Sequence, residues 1–168
     1  ERGNFPTDVY VLEGLASLSG ATLKVVEPDE VADAIDDDTA AVILTQVHYK
    51  TARRRDMAAL TAQAHAKGAL ALWDLSHTAG ALACDLNGAG ADLAVGCGYK
   101  FLNGGPGAPA FVFVAGRHQA EIRSPLSGWM GHAAPFAFED RYRPASDIRS
   151  LLCGTPPILA LAALEVGL

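Results

Sequence analysis

The stretch "ADLAVGCGYKFLNGGPGAPAF", Ala91 to Phe111, decides how the rest of the chain is read. An apolar run of strand length (Ala91 to Cys97) leads into Tyr99 and Lys100, and the chain then breaks into a loop of Asn, Gly and Pro. A second apolar run, Ala108 to Ala115, follows at once. Runs of this kind bounded by turn residues mark buried strands. The glycines around Lys100 allow close backbone approach on one side and turns at positive φ on the other. A lysine held at a partly desolvated strand end can lose its proton and become a nucleophile able to form a Schiff base. The plainer alternative is a solvated surface lysine.

Working outward, strands and helices alternate. "ATLKVVEP" (Ala21 to Pro28) is expected to be a strand closed by Pro28, and "DEVADAID" (Asp29 to Asp36) a short helix with an acidic first turn. "TAAVILTQV" (Thr39 to Val47) is β-branched and apolar throughout, as a buried strand should be. Asp56 to Gly68 carries Met57, Leu60 and Ala64 at helical spacing, with Asp56 as N-cap and Gly68 as C-terminal stop. "ALALWDL" (Ala69 to Leu75) is a further strand, and the chain ends in a helix-like run, "ILALAALEVGL". The segment Ser124 to Pro157 holds five of the nine prolines and little periodicity, the mark of a long functional or covering loop. The expected class is α/β, a mostly parallel sheet flanked by helices.

Composition narrows the function. At 168 residues the chain has the length of one domain, and with 50% hydrophobic and 19% charged residues it can bury a core. A net charge of -6 argues against a nucleic-acid partner held by phosphate neutralisation. No apolar run approaches the roughly 18 to 20 residues that span a bilayer. Cys84, Cys97 and Cys153 are odd in number and widely spaced, so neither a disulfide framework nor a metal site is expected, and a reducing cytoplasm fits best. All three read as small buried hydrophobes. The opening "ERGNFPTD" has no apolar leader and no initiating Met, so a fragment of a longer protein is expected.

Ligands of open α/β sheets sit beyond the carboxyl ends of the strands. Thr45, Asp74 with His77, and Tyr99 with Lys100 all fall at such ends. If Lys100 forms its Schiff base with pyridoxal phosphate, an anionic carboxylate must hold the pyridine nitrogen protonated, and Asp74 is placed to do so. Taken singly, Asp74 could equally be a helix N-cap and His77 a polar turn residue.

The chain from Trp73 to Phe111 resembles the cofactor-binding core of the kynureninase family, pyridoxal-phosphate enzymes of the class V aminotransferase group. "NFPTD" (Asn4 to Asp8), "PLSGWMGH" (Pro125 to His132) and "LCGTPPILAL" (Leu152 to Leu161) are similar to family segments in the same order. The resemblance implies a fold type I large domain, partial over residues 1–168, with the upstream phosphate loop and the small C-terminal domain lying elsewhere. Lys100 would carry the cofactor, Asp74 would pair with the ring nitrogen, and His77 would lie beside the ring. Within "FPTD", Phe5 would stack on the ring, Pro6 and Thr7 would lie along it, and Asp8 would share the polar edge of Asp74. Thr45 matches a hydroxyl position near the cofactor, in a segment (Thr45 to Met57) that is a looser match to the family's strand end. Tyr99 and Trp129 would donate to the phosphate, and Thr155 matches a position near the substrate, lent by a second subunit. Without the family order, Phe5 could be core and Trp129 a loop anchor.

The implied reaction is hydrolysis of L-kynurenine or 3-hydroxykynurenine to anthranilate or 3-hydroxyanthranilate and L-alanine, in tryptophan catabolism and NAD biosynthesis. Lys100 would be general base, Tyr99 a proton relay, and the enzyme a homodimer. The substrate-gripping arginine is expected outside the chain, since Arg141, Arg143 and Arg149 lie in the long loop and read as solvated or interfacial. Rival readings are a cysteine desulfurase-like or aminotransferase-like enzyme, and a non-catalytic scaffold for dimer assembly. A desulfurase would need a mobile nucleophilic cysteine, and Cys97 and Cys153 lie in segments that read as buried.

Overall fold

Three apolar runs pair in parallel and a fourth returns antiparallel. The computed structural model describes residues 1–168, with β1 at Ala41–Thr45, β2 at Leu70–Asp74, β3 at Leu93–Cys97 and β4 at Ala110–Val114. The sheet order is β1-β2-β3-β4, with β1, β2 and β3 parallel and β4 antiparallel to β3. The expected α/β class and mostly parallel sheet are therefore what the chain forms. In this register Thr45 pairs with Asp74. The pleat thus puts both side chains on the same face at the carboxyl end of the sheet.

Helix α2 (Met57–Ala66) supplies the crossover from β1 to β2. Its Asp56 cap accepts from the Ala59 N–H, and Gly68 closes it at a φ of 77°. The buried Met57, Thr61 and Ala64 form the inward stripe, with Leu60 partly buried beside them. Trp73, 1% exposed, lies against this stripe and donates its indole N–H to Thr61 Oγ1 at 3.0 Å. With Leu44, Ala71, Leu75, Ala91 and Ala94 these residues make the core between helix and sheet.

Two expected elements do not form. Ala21 to Pro28 has no ladder partner, because β1 is the edge of the sheet on that side and pairs only with β2. The segment is held instead by Arg2 N–H to Val26 O and by side-chain bonds such as Arg55 to Pro28 O and Lys24 to Ala34 O. Asp29 to Asp36 is a series of turns rather than a helix. Eight residues are short for a helix to nucleate, and the run Asp36, Asp37 and Asp38 puts negative charge where the helix dipole is already negative. Val31 and Ile35 nevertheless point into the core.

Helix α1 (Pro6–Ser19), which the periodicity of the sequence does not mark, begins at a proline and ends at Gly20 in the left-handed region. Helix α3 (Ile158–Gly167) closes the chain, as its apolar run suggested. Neither helix buries a residue fully, and Tyr10, Val11, Leu15, Leu18, Ile158, Leu159 and Val166 are exposed. Between Ser124 and Pro157 the chain forms only short 3-10 turns and one isolated bridge, His132 to Pro144. No helix is long and apolar enough to cross a membrane.

At the amino end of β3, Asp92 is 1% exposed. Its carboxylate accepts from the Ala71 N–H (2.8 Å), His65 Nε2 (2.7 Å), His118 Nε2 (2.7 Å) and Arg117 Nη2 (2.5 Å). Burial opposes its ionisation, but the Ala71 N–H, the two imidazoles and the guanidinium outweigh that and hold it well below the usual carboxylate range. The cluster ties α2 and the segment after β4 to the sheet.

Candidate active site

At the opposite, carboxyl end of the sheet the polar groups are arranged differently. Thr45 (2% exposed) and Asp74 (6%) end β1 and β2 side by side. The Thr45 hydroxyl donates to Asn4 Oδ1 at 2.6 Å, with Asp74 Oδ2 3.3 Å away. Asn4, itself buried, donates its amide to Asp8 Oδ2 at 3.0 Å. Asp74 Oδ1 accepts the Ser76 N–H at 2.8 Å, so the residue caps its own turn while its other oxygen faces the rim. Thr45, from the looser-matching segment, is thus the link between both carboxylates.

Asp8 and Asp74 are close enough to disturb one another. Burial and then the Asp74 charge raise the Asp8 pKa above its ordinary value, and the Asn4 amide and the Lys100 ammonium only partly offset them. The rim therefore carries more negative charge than its own donors neutralise, and a cation placed between the carboxylates would relieve it. A protonated pyridine nitrogen is such a cation.

His77 follows on the turn after β2. Its Nδ1 is buried with no hydrogen-bond partner. Burial, followed by the nearby Lys100 ammonium, lowers its pKa, so the neutral ring is favoured. Phe5 and Tyr49 pack edge to face with centroids 5.5 Å apart, and Tyr49 lies 6.1 Å from His77. Lys100 Nζ stands 5.7 Å from the centroid of Phe5 and 5.4 Å from that of Tyr99. The loop behind the lysine takes positive φ at Asn103, Gly105 and Gly107, as its composition implied. Gly80 (φ 85°) completes the fit, because a Cβ there would strike the backbone of Phe101 and Leu102. The turn after Asp74 and the loop after Lys100 can therefore pack directly on one another.

The structure thus gathers Phe5, Asp8, Thr45, Asp74, His77, Tyr99 and Lys100 on one rim. Pro6 and Thr7 form the exposed first turn of α1. Trp129 and Thr155 are not joined to this cluster by any hydrogen bond or ring contact. Trp129 packs on Phe136 and Phe138 and is 40% exposed, and Thr155 is exposed. Arg143 and Arg149 pair locally with Glu139 and Asp147 at the surface, and Arg141 is exposed in the same loop. The cysteines correct one expectation. Cys153 is exposed and Cys84 and Cys97 are only half-buried, because the loop carrying Cys153 lies over the surface.

Sequence reasoning missed Asn4, Ser76 and Tyr49. Asn4 stands next to the "FPTD" motif and could have been found there; Ser76 acts through its backbone and leaves no side-chain signal. Tyr49 is visible only once the turn Val47 to Arg54 is closed in space.

The aminotransferase class-V family model matches residues 15–168. The chain is 55% identical to the kynureninase of Deinococcus radiodurans across 98% of its own length and 40% of that protein. It is 55% identical to the kynureninase of Pseudomonas fluorescens (100% of this chain, 41% of that one) and 49% identical to that of Burkholderia mallei (100% and 41%). The chain thus spans about two-fifths of the length of these curated relatives. Among solved structures, its fold is similar to a cysteine desulfurase from Thermococcus onnurineus, with a TM-score of 0.76 at 20% identity over 95% of this chain and 41% of that one. It is also similar to C-DES, solved as a lysine variant with glycine covalently linked to its PLP cofactor, with a TM-score of 0.78 at 16% identity over 99% and 46%. At those identities the likeness is one of fold. A family match across nearly the whole chain, with kynureninases as relatives near half identity, places this chain in the class-V aminotransferase family.

Proposed function

We propose that the protein to which these residues belong is a pyridoxal-phosphate-dependent kynureninase, hydrolysing L-kynurenine or its 3-hydroxy form to anthranilate or 3-hydroxyanthranilate and L-alanine. The observation that carries this reading is the Asp8–Asp74 pair facing Lys100 across one rim, in a chain 55% identical to kynureninases. Residues 1–168 are read as part of the large cofactor-binding domain.

The residues present fit the cofactor. The uncompensated carboxylates suit a pyridinium N–H, the unpartnered His77 Nδ1 suits a polar ring substituent, and Phe5 offers a ring face beside Lys100. When bound, pyridoxal phosphate supplies an electron sink for the substrate α-carbon. Asp74, oriented by Thr45 and the Ser76 N–H, would keep the pyridine nitrogen protonated. Asp8 adds a second negative charge to the same edge. Lys100 would hold the cofactor through its aldehyde and would serve as general base toward the substrate α-proton. Tyr99, half exposed beside Lys100, would relay a proton at the substrate γ-carbonyl or its hydrate. Trp129 is assigned to the phosphate, and Thr155 to the substrate from across a homodimer interface. Their exposure and the apolar outer faces of α1 and α3 support cover by further chain or by a second copy.

The test uses the full-length protein. Visible absorbance with pyridoxal phosphate, borohydride reduction and peptide mapping should place the label on Lys100. Lys100→Ala should lose turnover of kynurenine by about 10⁴-fold or more. A fully active Lys100→Ala enzyme, or a label on another lysine, would sink the proposal.

A further inference from the structure

The turn between β1 and α2 holds an aromatic side chain that none of the assigned roles uses. Tyr49 packs against Phe5, at 5.5 Å and 81°, and against His77, at 6.1 Å and 32°. Phe5 is the proposed stacking face and His77 the proposed neighbour of a ring substituent, and they arrive from separate parts of the chain, the start of α1 and the turn after β2. Tyr49 is the side chain that touches both.

Its own position is held firmly. The turn closes through His48 N–H to Arg53 O (3.0 Å) and Ala52 N–H to His48 O (2.8 Å). His48 Nδ1 accepts the Lys50 and Thr51 N–H groups, each at 3.3 Å. With Nδ1 accepting, Nε2 carries the proton and donates to Gly3 O at 2.9 Å. That bond ties the turn to the backbone just before Asn4 and Phe5. The His48 ring lies 5.4 Å from Tyr49 at 31° and supports its other side. The Tyr49 hydroxyl makes no hydrogen bond, so the contacts that matter are those of the ring.

We propose that Tyr49 is a positioning residue, its ring packing on both Phe5 and His77 and so orienting the two side chains toward the cofactor. The proposal rests on the kynureninase reading and adds to it a residue that acts through two others. Each aromatic contact is modest, about 0.5–1.5 kcal/mol beyond area burial. Because these contacts act on the cofactor only through Phe5 and His77, the loss of about one such contact's worth predicts a cofactor dissociation constant raised about three- to tenfold.

The experiment compares full-length Tyr49→Phe, Tyr49→Leu and Tyr49→Ala with the parent. The readouts are pyridoxal phosphate affinity, the visible circular dichroism of bound cofactor, and kcat and KM for kynurenine; melting of each apoenzyme controls for folding. Tyr49→Phe should match the parent in every readout, because it keeps the ring. Tyr49→Leu keeps the bulk without the ring and should bind cofactor more weakly, with a smaller dichroic band and a lower kcat at little change in KM. Parent-like dichroism and affinity in Tyr49→Leu, or a Tyr49→Phe variant as defective as Tyr49→Leu, overturns the proposal while leaving the functional reading intact. A parent that binds no cofactor overturns both.

Discussion

Two buried aspartates stand at opposite ends of the same small sheet and are treated in opposite ways. Asp92, at the amino end, is met by a backbone N–H, two imidazoles and a guanidinium. Asp74, at the carboxyl end, has one backbone N–H, the edge of a hydroxyl and a second carboxylate nearby. Both are almost wholly buried, 1% and 6% exposed, so burial alone separates neither from the other. Donor supply does. A carboxylate whose acceptor capacity is filled by the protein holds the fold together, while one left short of donors beside another anion is set up for a cation from outside.

The contrast can be broken from either side. Asp92→Asn should be the larger structural lesion. It removes the charge that four donors share and should cost about 3 kcal/mol of stability, the lower end expected because the cations are partly exposed and rehydrate. Urea titration of the apoprotein measures it, and cofactor affinity should change little. Asp74→Asn should do the reverse, leaving the apoprotein nearly as stable but weakening cofactor binding about 10- to 100-fold through loss of a charge-assisted hydrogen bond. If the two variants behaved alike in both assays, the division of labour would be wrong.

Acid offers a finer test. The Asp92 pKa is depressed in the fold, so its contribution is complete above the ordinary value of 3.8 and is lost as pH falls through the lower folded value. The His77 pKa is also depressed, by burial and the Lys100 charge, so its contribution begins to be lost as pH falls below 6.5. Melting of the apoprotein against pH should therefore decline in two stages, with Asp92→Asn flattening the lower one and His77→Gln the upper. The smallest effect belongs to Asp8. Its pKa is raised, so ionised Asp8 opposes folding above 3.8, and Asp8→Asn should slightly stabilise the apoprotein at neutral pH. With cofactor bound the sign should reverse, as the Asn variant loses attraction for the pyridinium. Stabilisation in both states would remove Asp8 from the site.

Much of this division was legible in the residues. Asp74, Lys100 and Tyr99 announce themselves because apolar strand patterns end at them, and Asp56 and Gly68 frame α2 by their cap chemistry. The role of Asp92 was hidden, since a lone aspartate in an apolar run carries no sign of the His65, Arg117 and His118 that meet it from distant elements. The extended segment Ala21 to Pro28 was misread because strand propensity does not supply a partner, and here β1 leaves it none. Cys153 was misread for a similar reason: an apolar neighbourhood in sequence is a surface loop in space.

What the sequence determined by itself was most of the parts, namely four of the five strands it suggested, the crossover helix, and a lysine, an aspartate and a phenylalanine in family order. Periodicity and capping are local properties, set by side chains within a turn or two of one another, so they can be read along the chain. Only the tertiary structure decided which polar groups share a charge. Asn4 reaches Thr45 across 41 residues, Thr45 reaches Asp74 across 29, and Asp92 gathers partners from up to 27 residues away. Electrostatic character depends on distance and burial in space, and those are properties of the packed sheet rather than of any stretch within it.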